Sequence, residues 1–230
     1  MASFRAQVLR FTAFLPQPPD EASQLWSSLT GGQPDVSENR LKENLQRTAG
    51  AWRSAQLEVQ LRPGRLDLVA VPRTSQVAQS LDFGFAKVEF NEFIKVIRPV
   101  FPRLEKVHRV AMGGVLLLKA DSQEHSVDLF SNHTGIELGK ILGCGDLMFR
   151  CNRRHELGTG LYYNRIRTWQ CMSVQSFTGT IAPTIFQSED FYLQLDLDHS
   201  TPVDSVKDLD VSSIADELAA LFLGDVSGGE

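Results

Sequence analysis

Apolar and polar residues alternate most cleanly between Ser54 and Arg62. Ala55, Leu57, Val59 and Leu61 fall on one side of the chain, and Gln56, Glu58, Gln60 and Arg62 on the other. A period of two places one face against a core and leaves the other in water. Pro63-Gly64 comes next, with Pro fixing φ at the first corner of a turn and Gly supplying positive φ at the second. Arg65 to Val71 then returns as the partner strand, so the pattern predicts a β-hairpin. An earlier strand is predicted from Phe4 to Phe14, where Phe4, Ala6, Val8, Leu9 and Phe11 are apolar and Pro16, Pro18 and Pro19 end the run.

Helical spacing appears between and after these strands. Asp20 is placed to cap a short helix carrying Ala22, Leu25, Trp26 and Leu29, closed by Gly31-Gly32. Ser37 with Arg40, Leu41, Leu45 and Thr48 predicts a second short helix. Phe85, Val88, Phe93, Ile94 and Ile97 predict a helix from about Ala86 to Ile97, broken by Pro99 and Pro102. Val107 to Ala120 is apolar on both faces, as in a central strand covered on each side. Within it, Gly113-Gly114 marks a bulge or the close approach of another backbone.

Farther along, Val127 to Phe130 is read as a short strand and Ile136 to Leu142 as a short helix ended by Gly143. Leu147 to Arg154 and Leu161 to Phe177 read as long β segments around a Gly158-Thr159-Gly160 turn. Phe191, Leu193, Leu195 and Leu197 alternate as one face of a further strand. Ile214, Leu218, Leu221 and Phe222 define an amphipathic helix, with Asp210 or Ser212 as its cap and Gly224 past its end.

These elements predict an α+β protein with antiparallel or mixed sheets, helices on one face and a C-terminal amphipathic helix. The order strand, helix, strand, strand, helix, strand over residues 1–120 is that of a ferredoxin-like βαββαβ unit. Residues 121–230 form a second α+β half packed on the first, or continue it as one domain. No apolar run approaches the roughly 20 residues of a membrane helix, and the N-terminal MASFRAQVLRF lacks a signal peptide's unbroken apolar stretch. Cys144, Cys151 and Cys171 are odd in number and form no CxxC pair, which is the usage expected of reduced thiols in the cytoplasm.

Charge changes the picture more than composition does. Ser188 to Glu230 holds eleven carboxylates and one lysine, a net −10, which leaves +5 of the chain's −5 to the first 187 residues. Just upstream, Arg150, Arg153, Arg154, Arg165 and Arg167 meet a single acid, Glu156, with Tyr163 and Trp169 interleaved. Alternation puts Tyr163, Arg165, Arg167 and Trp169 on one face of their strand. Arginine neutralises phosphate and aromatic rings stack on bases, so this set is a candidate nucleic-acid surface. It is equally a candidate for pairing with the acidic C-terminal segment, within the chain or across a dimer.

Asp196, Asp198 and His199 form a third candidate group. In a strand, Asp196 and Asp198 point the same way, so that both carboxylates reach one cation, and His199 adds a nitrogen ligand. The other catalytic and cofactor signatures are missing: there is no GxSxG elbow, no phosphate loop and no dinucleotide fingerprint. No cofactor is implied. The terminal Gly228-Gly229 precedes Glu230 too soon after a helix to read as a modifier tail.

Several pieces in order resemble a family of sporadically distributed, uncharacterised bacterial α+β proteins of about this length. They are the early strand with its Pro-rich turn, Trp52 followed by LEVQLRPGRLDLV, the helix FNEFIKVIRPVF, the strand RVAMGGVLLL, and LQLDLDHS leading to IADELAALF. The resemblance implies an accessory bacterial protein without established catalytic residues. Three readings therefore stand. The first is a non-catalytic component of a multi-protein assembly or homo-oligomer, without membrane association. The second is a nucleic-acid-binding module using Arg150, Arg153, Arg154, Tyr163, Arg165, Arg167 and Trp169. The third is a metal-dependent hydrolase centred on Asp196, Asp198 and His199.

Overall fold

The computed structural model describes residues 3–18, 20–73, 81–138, 147–156, 160–178, 185–203 and 210–227, without the side chains of 176–178 and 185–187. Its strands are β1 (Arg5–Phe14), β2 (Val36–Arg40), β3 (Leu45–Trp52), β4 (Ala55–Arg62), β5 (Arg65–Pro72), β6 (Arg109–Ala120), β7 (Met148–Glu156), β8 (Tyr162–Thr178) and β9 (Ile185–Ser200). Its helices are α1 (Ala22–Thr30), α2 (Ala86–Ile97), α3 (Gln123–Thr134) and α4 (Val211–Val226). The strands form one sheet of order β2-β3-β4-β5-β1-β6-β9-β8-β7, and every neighbouring pair is antiparallel.

The hairpin stands as its alternation requires. Leu57 and Val59 of β4 pair with Ala70 and Leu68 of β5, all four fully buried, and Gly64 takes φ 76° in the turn. On the next strand Leu9, Phe11 and Ala13 of β1 continue the same buried face. The helices share that face, with α1 over β3 and β4, α2 over β1, α4 over β6 and β9, and α3 over β8 and β9. Between the layers lies one continuous apolar core, in which Phe90 of α2 stacks on Phe222 of α4 at 3.8 Å between ring centroids.

Several expectations are corrected. The ferredoxin-like topology is not supported: residues 36–52 form the β2–β3 hairpin instead of a second short helix, and β6 hydrogen-bonds to β9, so one nine-stranded sheet runs through both halves. Residues 127–130 are helical inside α3, whose Ser122 cap accepts from the His125 amide. Gly224 lies within α4, not past its end, and Asp210 is the cap. In α2, Val88 and Phe85 face outward while Glu89 is buried, held by Arg53 at 3.1 Å. The helix predicted over 136–142 and the Gly158-Thr159 part of the later turn lie largely outside the described residues.

Among the described residues, helices cover β6 on one face only, where the apolar run predicted cover on both. The other face of the sheet is a hydrogen-bonded polar surface. Glu58 receives both arms of Arg47 and the amides of Gln56 and Gln60, and Thr12 donates to Asp67 at 2.6 Å. Gly113-Gly114 does mark a close approach. A Cβ on Gly113 would sit 2.0 Å from the Leu197 carbonyl oxygen, and one on Gly114 would sit 2.4 Å from that of Val8, opposite a bulge between Ala6 and Val8.

Candidate functional site

The arginine-aromatic segment occupies the β7–β8 end of the sheet, and its two strands treat their arginines differently. Along β8, Tyr163, Arg165, Arg167 and Trp169 all turn toward the helices, as alternation predicts. Tyr163 and Trp169 are buried there, and burial pushes the Tyr163 phenol up. Arg165 and Arg167 both close on Asp225 in the last turn of α4, and His199 of β9 donates from Nε2 to the same carboxylate at 2.9 Å. Pairing with the acidic C-terminal segment is thus realised within the chain for these two arginines.

The cluster is deeply set. His199 and the Asp225 side chain are essentially inaccessible, and Arg165 is nearly so. Burial alone would raise the Asp225 carboxyl, but donation from His199, Arg165 and Arg167 outweighs it and holds the group well below the usual carboxylate range. Asp225 is therefore an ionised acceptor, which assigns the proton on His199 Nε2. His199 Nδ1 and Arg167 Nε remain buried without a hydrogen-bond partner.

β7 is different. Among the described residues it is the outer strand, paired with β8 alone; all nine of its residues pair without a bulge, and most of their side chains are exposed. Arg150, Arg153 and Arg154 are exposed, and none forms an ion pair among the described residues. Arg153 shares the helix side with Arg165, its cross-strand partner, whereas Arg150 and Arg154 face the open side opposite Thr168 and Asn164. Met148 and Tyr162 are more than half exposed at the two ends of this hairpin, with Phe149 partly so.

Two concavities flank the hairpin. One, of about 120 Å³, lies between the end of α3 and the strands, lined by His133, Phe149, Cys151, Arg153, Arg167 and Trp169 among others. His133 stacks on Trp169 with centroids 5.3 Å apart, and burial holds the His133 imidazole below its usual value. The second, of about 310 Å³, is formed by Arg154, Tyr162, Tyr163, Asn164 and Pro202. A further cleft, of about 620 Å³, lies elsewhere, around Gln17, Asn39 and Arg62.

The Asp196, Asp198 and His199 group is divided by the sheet. His199 continues the buried row of Leu193, Leu195 and Leu197, while Asp196 and Asp198 face the open side. Asp196 binds Arg10 at 2.8 Å, across the space left by Gly113. Among the described residues no group of three or more His, Cys, Asp or Glu side chains gathers to hold a metal. No described helix is long and apolar enough to cross a membrane.

Asp225 is the residue that sequence reasoning missed. Ile214, Leu218 and Phe222 define the buried stripe of α4, and Asp225 lies three residues on, along the same face. A carboxylate on an apolar stripe was the available signal. Comparison of the chain with family models, with curated proteins and with solved structures finds no match.

Proposed function

We propose that the protein is a non-catalytic interaction component that takes up an extended, acidic segment of a partner protein along β7. The observation that carries this reading is the edge itself: a nine-residue strand that, among the described residues, is paired on one side only, with exposed Met148 and Phe149 at its start and three arginines that form no ion pair. Such an edge offers a row of main-chain donors and acceptors to an added strand. Charged residues often guard strand edges against aggregation. Here the guard is predominantly basic, three arginines against Glu156 at the strand's end, which repels a like strand and attracts an acidic one.

The far edge of the sheet is unlike it. β2 has five residues, and its Arg40 and Glu38 are ion-paired with each other. Self-association through β7 is also disfavoured, because pairing two copies of this strand sets arginine against arginine along the seam. The resemblance to accessory bacterial proteins without established catalytic residues is in keeping with this reading. A nucleic-acid surface has less support, since Tyr163 and Trp169 lie under the helix layer and are not free to stack on bases.

The test begins with light scattering at low and high salt. The purified protein is expected to be a monomer at both. A protein that co-purifies from the native host, once identified and re-expressed, is expected to form a complex that protects β7 amides from hydrogen exchange. Arg150→Glu with Arg154→Glu is expected to weaken that complex by at least about tenfold in Kd, with no loss of melting temperature. A complex indifferent to these substitutions overturns the proposal. So does a dimer of the protein alone that salt dissociates, or a scattering peak whose high 260/280 absorbance ratio salt strips away.

A further inference from the structure

We infer that the 120 Å³ cleft beside β7 is a carboxylate-reading pocket, which receives a glutamate or aspartate side chain from the strand docked on β7. This inference rests on the proposed function and adds the residue by which the segment would be recognised.

Register makes the pocket. Cys151 and Arg153 of β7 stand opposite Arg167 and Arg165 of β8, all on the helix side of the sheet. Like charges directly opposite on neighbouring strands destabilise a sheet unless an anion lies between them. Asp225 supplies one such anion from the α4 side, leaving three guanidiniums against a single carboxylate. Arg153 reaches no carboxylate among the described residues, and Arg167, which lines the cleft, keeps its buried Nε without a partner. An unpartnered buried donor beside an unneutralised guanidinium is a vacancy for an acceptor with two oxygens.

The remaining wall sets the size and the direction of entry. His133 and Trp169 form a stacked floor, and Phe149 stands at the open margin. The volume suits one carboxyl group and its methylenes. A strand added to β7 lies about 4.8 Å farther out, and its side chains alternate between the two faces. A residue opposite Cys151 or Arg153 on the helix side therefore points toward this pocket, and one acidic side chain there joins Arg153 and Arg167. Neighbours on the open side lie against Arg150 and Arg154, where charge of the same sign would contribute less because water screens it.

Two capped octapeptides of alternating threonine and valine, one with a central glutamate and the other with glutamine there, test this. Binding is read by isothermal titration and docking separately by exchange of β7 amides. The glutamate peptide is expected to bind about tenfold more tightly, and Arg153→Gln is expected to remove that preference while both peptides still protect β7. Arg73→Gln, an exposed arginine outside the site, is the control expected to change nothing. Equal binding of the two peptides by wild-type protein, with β7 protected, overturns the pocket and leaves strand docking standing. Failure of both peptides to bind or protect overturns strand docking and the pocket with it. Displacement of the glutamate peptide by millimolar inorganic phosphate would overturn the assignment to a carboxylate.

Discussion

Asp225 ties the end of α4 to both β8 and β9. An acid in the last turn of a helix opposes the helix dipole, so its position depends on the two arginines and His199. Removing one partner of a buried ionic cluster leaves the others uncompensated. Asp225→Asn is expected to destabilise the fold by about 3–5 kcal/mol, read as a shift in the urea midpoint. The same residue sets a pH dependence. Its folded carboxyl is held below the unfolded value of roughly 3.9, so its contribution is complete above that value and is lost as pH falls through the acid range toward the folded value. Below about pH 4, wild-type stability is expected to fall more steeply than that of Asp225→Asn. Gly113 is the second such position. An added methyl meets the backbone oxygen of Leu197 rather than a movable side chain, so Gly113→Ala is expected to lose about 3 kcal/mol or more in the same measurement.

At the level of elements, local pattern decided most of what formed. β4 and β5 follow from strict alternation, α2 has the ends its spacing predicts, and α4 starts where Asp210 accepts from the Ser212 amide at 3.0 Å. Asp210→Ala is expected to cost about 1 kcal/mol in the urea midpoint without moving the β7 amides. The two misread segments fail for opposite reasons. Residues 36–48 carry charges at a spacing a helix also allows, but Val36 to Arg40 gains a full ladder against β3. Trp26 of α1 then lies over Gly50, where any side chain would collide with its ring. Residues 127–130 look like a strand in isolation. Within α3 they place Phe130 in the core under a capped first turn.

For the whole molecule, the large sheet with helices on one face separates two kinds of charge. On the helix side, charge on β8 is held by the buried Asp225 carboxylate. At the β7 edge it is exposed and unmatched, which is where binding is proposed. The sequence by itself determined most of the strands and helices, residues 36–48 and 127–130 excepted, the direction in which each side chain points along its own strand, and the concentration of opposite charge in two nearby segments. Those follow from periods of two and 3.6 and from composition, which are local properties. Even the separation of His199 from Asp196 and Asp198 was legible in the alternation that put Leu193, Leu195 and Leu197 on one face. Only the tertiary structure decided which arginines are spent inside the fold and which remain available. That choice depends on α4 lying over β6 and β9 with Asp225 within reach of β8, and on β7 having no outer neighbour among the described residues, both set by long-range packing and strand order. Two arginines directly opposite each other on neighbouring strands look identical as letters. What separates Arg165 from Arg153 is a carboxylate that lies sixty residues from Arg165 along the chain, brought within a hydrogen bond of one and not of the other.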